Sequence, residues 1–356
     1  MTIFSVSTLA VLPRLARSAA RCRMSAALLL LVGLFSTGLA SGLTLKIATV
    51  SPDGSTWMKT LRSAGKTVQE RTEGRVKLKF FPGGVQGDDK TVLRKMKVGG
   101  LLHGGVMTVG VLAQYYPDLQ IYGLPMVFSS DAELDYVRSQ MDAKLMAGLE
   151  QAGYVGFGFA EVGNAYAMSQ RPIATVAEAR AGKNWVPDGD LASAKALQAF
   201  GIAPIPLTIG DVLAGLQTGL IDTIAAPPVG TLTLQWHTRL SHVMDLPLLY
   251  TYGLLVVTER QFKKISAADQ VIVREVMGAA TAQVNARSRV DHEQALAVLQ
   301  QQGLTFATPT VEARAEFQRL ADVANENLVA EEFVSAAAWQ ELQRHRAAAP
   351  VVPASP

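Results

Sequence analysis

Apolar and polar positions alternate from Leu45 to Val50 (LKIATV), and the β-rich content of this stretch predicts a strand. Turn residues follow from Ser51 to Ser55, with Ser55 placed to cap a helix. Trp57, Leu61, Ala64 and Val68 then recur at helical spacing until Gly74 stops the element. Val76 to Phe81 (VKLKFF) predicts a second strand, Asp88 to Val98 a second helix, and Gly105 to Val109 a third strand. Further on, strands are predicted at Tyr154 to Phe159, Asn184 to Val186 and Leu220 to Ala225, with a helix over Leu191 to Phe200. Strands alternating with helices of this length indicate an α/β architecture with a parallel sheet and crossover helices.

A long helical pattern opens at Ser266, with Asp269 in a variant capping box, and runs to Gly303. Its apolar positions Ile272, Val276, Val284, Val290, Leu296 and Leu299 do not form one stripe. Either one helix shows different faces to two lobes, or two helices follow each other. The Pro-rich stretch over 347–356 (AAAPVVPASP) predicts a disordered tail, and no internal repeat is found.

The N-terminus changes how the composition is understood. Arg14, Arg17, Arg21 and Arg23 precede an uncharged apolar run from Met24 to Phe35, followed by the small residues Ser36, Gly38, Ala40 and Ser41. This is the layout of a signal peptide over 1–40, cut near Ala40, and the run is short for a membrane span. The whole chain has 356 residues, with 33 Lys plus Arg against 30 Asp plus Glu. The leader holds four of the basic and none of the acidic residues, so the remainder carries a formal charge of −1. The pI of about 8.9 therefore belongs to targeting and argues for no nucleic-acid partner. The single Cys, Cys22, leaves with the leader, which removes disulfides, thiolate metal sites and a Cys nucleophile from the mature chain.

Catalytic and cofactor signatures are scarce. Gly156, Gly158 and Glu161 give GxGxxE without the third Gly of a dinucleotide cradle, and neither GxxxxGK[ST] nor GxSxG occurs. His103, His237, His242, His292 and His345 form no HExxH pair, so neither a metal nor another cofactor is expected. Asp88 with Asp89, and Asp188 with Asp190, are paired acids beside glycines that read first as helix caps or turns. An exported hydrolase or lyase using Asp188, Asp190 or His237 is the alternative function they leave open. What remains is a set of aromatic and Pro-rich loops: Trp57, Met107, Trp185 with Pro187, Pro227 with Pro228, Gln235 with Trp236, and Tyr250 with Tyr252. Any one of these fits a core. Together, placed at strand ends, they favour a binding cleft.

Four stretches resemble the substrate-binding subunit of tripartite ATP-independent periplasmic (TRAP) transporters. They are ERTEGRVKLKFFPGG from Glu70, YYPDLQIYGLPMVF from Tyr115, SQRPIATVAEARA from Ser169 and, most characteristic, DVLAGLQTGLID from Asp211. The similarity covers about Leu43 to Trp339. It implies a two-lobed periplasmic-binding-protein-like fold with a long helix spanning both lobes. Lobe I would comprise 43–161 plus 252–291, and lobe II 162–251 plus 292–340. It implies closure on a small molecule, no enzyme activity, no cofactor, and delivery to membrane permease subunits.

The chain departs from that family at the site. The Arg that usually pairs with a substrate carboxylate corresponds to Trp185, a second Arg corresponds to Asn164, and a frequent Asn corresponds to Ala226. Trp cannot replace the guanidinium fork, and a buried carboxylate without a cation is costly. The cleft would then take an apolar or amphipathic ligand packed on Trp185, Trp236, Pro227 and Pro228. Alternatively, a weak organic acid would be held by His103, His237 or Gln235 with backbone NH groups. The site residues expected are Trp57, His103, Met107, Glu161, Asn164, Trp185, Pro187, Ala226, Pro227, Gln235, Trp236 and His237. WVPDGD from Trp185 and LQWHT from Leu234 also resemble the branch that works with a periplasmic tetratricopeptide-repeat partner.

Overall fold

A computed structural model describes residues 42–350 apart from residue 99, so the predicted leader, Cys22 and most of the predicted tail lie outside the described residues. In chain order the main elements begin with β1 (Leu43–Thr49), α1 (Thr56–Arg71), β2 (Val76–Phe81), α2 (Asp89–Lys97), β3 (Gly104–Thr108) and α3 (Asp131–Gln151). Then come β4 (Tyr154–Ser169), α4 (Val176–Arg180), β5 (Asn184–Pro187), α5 (Leu191–Ala199), β6 (Pro204–Leu207), α6 (Val212–Thr218), β7 (Thr223–Ala226) and α7 (Pro228–Thr233). The chain closes with β8 (His242–Thr258), α8 (Ala267–Gln301), β9 (Thr305–Ala307), α9 (Val311–Ala330) and α10 (Ala336–Ala348). Helix starts follow the polar caps: Ser55 Oγ accepts from the Met58 amide, and Asp88 and Asp190 cap α2 and α5 in the same way. Helix α10 runs two residues into the segment expected as tail.

The sheet order is β2-β1-β3-β8-β4-β7-β5-β6, with β9 added beside β8. β1 pairs in parallel with β2 and β3, and β5 pairs in parallel with β6 and β7, as the alternating pattern predicts for each half. The centre differs from the all-parallel expectation. β8 runs antiparallel to β3 and β4, and β4 antiparallel to β7. These two strands are also longer than the sequence pattern indicates: β4 continues ten residues past Phe159, and β8 spans seventeen. They cross from one half of the fold to the other, and four register shifts bend them on the way. Gly158 and Gly163, at φ +102° and +112°, supply left-handed backbone along β4.

Helix α8 is one unbroken element, which removes the two-helix alternative. Val273, Val276, Met277 and Ala280 belong to a core with Leu45, Leu61, Val68 and Phe262. Leu299, two residues before its end in the other half, joins a separate core with Val212, Ile224 and Trp236. Between them Val290 is exposed, so the missing single stripe reflects a helix that serves two cores in turn.

Candidate functional site

A cleft of about 570 Å³ opens where the C-terminal ends of β1 and β3 meet β5, β7 and the crossing strand β8. Of the twelve residues singled out from the sequence, Trp57, Met107, Trp185, Pro187, Ala226, Pro227 and Trp236 line it. Trp185 is 6% exposed. It stacks edge-on against Trp236 with ring centroids 5.3 Å apart, and its indole Nε1–H donates to the Leu207 carbonyl at 2.9 Å. The indole is therefore fixed by packing and by one hydrogen bond, and presents carbon to the cleft where the TRAP pattern has a guanidinium.

The other five do not line the cavity. His103 sits at the opposite end of β3, where its Nδ1 accepts from the Lys46 amide at 3.3 Å and burial lowers its pKa. Glu161 is buried and ion-paired with Arg289 at 3.2 Å and Arg138 at 4.0 Å; burial raises its pKa against the pull of those two cations. Asn164 pairs with Tyr250 in the β4–β8 ladder. Gln235 holds a left-handed turn at φ 59° and His237 Nδ1 faces the Thr231 carbonyl at 3.4 Å. Tyr250 and Tyr252, expected at strand ends, lie within β8 and face the cleft with nearly parallel rings 5.6 Å apart. Tyr250 is held from behind by Arg138, whose Nη1 donates to its hydroxyl at 3.1 Å.

The two acid pairs split by role. Asp88 caps α2, with Oδ1 accepting from the Thr91 amide at 2.8 Å, while Asp89 points into the protein and lines the cleft. Asp89 is 8% exposed, and its Oδ2 accepts from the Thr108 amide at 2.9 Å and the Thr108 hydroxyl at 3.0 Å. Burial pushes its pKa up to about 6, although those two hydrogen bonds oppose the shift. Asp190 caps α5 through Ser193, and its carboxylate lies against Gly110, where an added Cβ would come within 2.9 Å of Cγ. Burial of that carboxylate raises its pKa as well. Asp188 forms a two-oxygen pair with Lys90 Nζ, both contacts at 2.8 Å, so α2 and the β5–α5 turn clasp each other beside the cleft.

The charge of the lining follows. Among the described residues, the cleft is lined by the acids Asp89, Asp190 and Asp291 and by no Lys, Arg or His. Asp89 is the functional candidate that sequence reasoning missed. The doublet Asp88-Asp89 reads as a cap, and helical geometry allows only one of two adjacent residues to cap. No group of three or more His, Cys, Asp or Glu is placed to hold a metal ion among the described residues.

Two halves joined by crossing strands and a spanning helix, with a cleft between them and no assembled nucleophile, define a two-lobed ligand-binding protein. The profile of bacterial extracellular solute-binding proteins, family 7 (DctP), matches residues 47–332, and the chain belongs to this family of TRAP solute-binding proteins, which are receptors and not enzymes. The chain is 27% identical over 225 residues to the uncharacterized protein YiiZ of Salmonella typhimurium, covering 58% of this chain and 66%, about two thirds, of YiiZ. It is 24% identical over 259 residues to the C4-dicarboxylate-binding periplasmic protein DctP of Rhodobacter capsulatus, covering 71% and 76% of the two chains. Among solved structures, the sugar acid binding protein DctPAm of Advenella mimigardefordensis in complex with galactonate superposes with a TM-score of 0.80 at 18% identity, covering 87% of this chain and 99% of that one.

Proposed function

We propose that this protein is the periplasmic receptor of a TRAP-type secondary transporter and that it captures an apolar or amphipathic organic ligand. One observation carries the choice of ligand: among the described residues the cleft is lined mainly by aromatic and aliphatic side chains, with neutral hydroxyls and amides and three acids beside them, and by no Lys, Arg or His. The relatives named for dicarboxylate and galactonate binding handle carboxylates. A carboxylate in this cleft would face Asp89 and Asp190 with no compensating charge, and a buried charge left uncompensated costs about 3–5 kcal/mol. His103, Gln235 and His237, the candidates for holding an acid by other means, stand outside the lining.

The lobes proposed are 43–161 with 252–291 and 162–251 with 292–340. Ligand that touches both stabilises the closed arrangement by its differential contacts. Lys90 with Asp188, and Gly110 against Asp190, are the contacts between them that closure brings together. The closed form would be what permease subunits recognise, with a tetratricopeptide-repeat protein as a further periplasmic partner. Native mass spectrometry of gently purified protein tests the ligand: a retained apolar or amphipathic molecule is expected. A retained sugar acid, or stabilisation by uronates and dicarboxylates but not by lipids in a thermal-shift panel, would overturn it.

A further inference from the structure

The cavity does not end at the interlobe surface. Its lining continues past Trp185 under α4, α5 and α9, where Ala167, Ala179, Ala196, Ile202, Met244 and Phe317 form the walls. All six belong to the main apolar core, and the Phe200 and Phe317 rings, 6.2 Å apart, stand at this end. The core here encloses space because three of the six positions are Ala. The polar side chains that β5 and β7 add to the lining are already engaged: Asn184 Nδ2 donates to the Ala179 and Gly182 carbonyls at 2.8 and 3.0 Å, and the Thr223 hydroxyl donates to Asp222. The donors of Asn184 and of the Thr223 hydroxyl are thus taken up within the protein, and among walls otherwise of carbon a hydrocarbon chain gains more by entering the arm than a polar group does. At the other end the lining turns polar, with Thr49, Ser51, Thr56 and Thr108 beside Asp89.

We propose that the arm beneath α4, α5 and α9 receives the hydrocarbon tail of an amphiphile whose hydrogen-bond-donating head, hydroxyl or ammonium and not carboxylate, lies at Asp89 and Asp190. This rests on the reading of the cleft as an apolar or amphipathic site and adds where each end lies. A donor head is selected because a carboxylate accepts hydrogen bonds and repels another carboxylate. The tail is selected by length, since each buried methylene is worth about fourfold in affinity until the arm is full.

The test is titration of the purified mature protein with n-alkanols, n-alkylamines and fatty acids from hexyl to dodecyl, followed by isothermal calorimetry and Trp fluorescence. Affinity should climb with chain length for alcohols and amines and stay at least tenfold weaker for the matched acids. Ala196→Phe, which fills the arm, should abolish the gain in affinity with chain length. The milder Ala179→Val should shift the limit to a shorter chain and serves if Ala196→Phe misfolds. Asp89→Asn should erase the preference for amine over acid. An unchanged chain-length profile in both arm variants would overturn the tail assignment while leaving cleft binding intact. Acids binding as well as alcohols would overturn the head assignment. No response to any of these probes, in a protein that binds a sugar acid, would sink the underlying functional reading instead.

Discussion

Replacing Asp89 by Asn should make the empty protein more stable at neutral pH. The carboxylate is 8% exposed, with its Oδ2 bonded to the Thr108 amide and hydroxyl, and its pKa stands at about 6 when folded against about 3.9 in an unfolded chain. Because the folded state holds the proton more tightly, stability is fully present below pH 4 and is lost as pH rises through 6. The shift of about two pK units corresponds to roughly 3 kcal/mol, present at low pH and absent at pH 7. Asn keeps an oxygen for both Thr108 hydrogen bonds and never ionises. It forgoes the interaction of a negative charge with the first turn of α2, worth about 0.3–1 kcal/mol.

The net expectation is therefore a gain of about 2 kcal/mol at pH 7 and little difference at pH 4, read by urea unfolding at intervals between those values. A destabilised variant at pH 7, or a difference that does not vary with pH, would refute this account of Asp89. The same substitution should weaken binding of a cationic or hydroxyl-bearing ligand, so that stability and binding move in opposite directions. That opposition is expected where a group is kept in place for its ligand and not for the fold.

Substitutions at three other positions probe the frame. Trp185→Ala should cost about 3–5 kcal/mol by leaving a cavity beside Trp236 and should weaken ligand affinity markedly, whereas Trp185→Phe, which loses the bond to Leu207 and part of the ring volume, should cost less, about 1–2 kcal/mol; denaturant curves and ligand titration separate the two. Lys90→Ala removes its pair with Asp188, which joins the two proposed lobes through side chains 48% and 38% exposed, so its worth is at most about 1 kcal/mol, a fivefold loss of affinity at low ionic strength that fades in high salt. Gly163→Ala places a Cβ 2.6 Å from His292 Nδ1 on backbone at φ +112°, and thermal unfolding should register a loss of about 2 kcal/mol or more.

The halves of the fold were legible where periodicity and caps agree. VKLKFF is β2 residue for residue, and Ser55, Asp88 and Ser266 cap the helices they precede. The crossing strands were not legible, for a physical reason. A strand that bends through register shifts and leaves one core for another loses its period of two, and β4 carries Gly158 and Gly163 where the pattern breaks. Helix α8 hid its continuity in the same way, by changing the core it faces. Seven of the twelve candidates line the cleft, and five of these, Trp57, Trp185, Pro187, Pro227 and Trp236, are aromatics or prolines in or beside the segments that follow short strands. The polar candidates among the other five were placed by residue type, and type does not say which way a side chain points.

The substitution at Trp185 acquires its meaning from what surrounds it. An isolated exchange of Arg for Trp in a carboxylate site would leave polar groups that expect an anion. Here the lining holds no cation, and the acid Asp89 is buried at the end of β3 with a raised pKa. A buried acid and the absence of a guanidinium both favour the proposed ligand, one that brings no negative charge of its own. On that reading the apolar arm under α5 would supply the rest of the affinity, because a ligand without a carboxylate has no strong ion pair to form and must gain from buried area instead. On the proposed reading, a lining without a cation, Asp89 at its polar end and the space among Ala167, Ala179 and Ala196 all favour the same ligand chemistry, and an Arg placed at position 185 alone should not confer carboxylate binding while Asp89 and Asp190 remain.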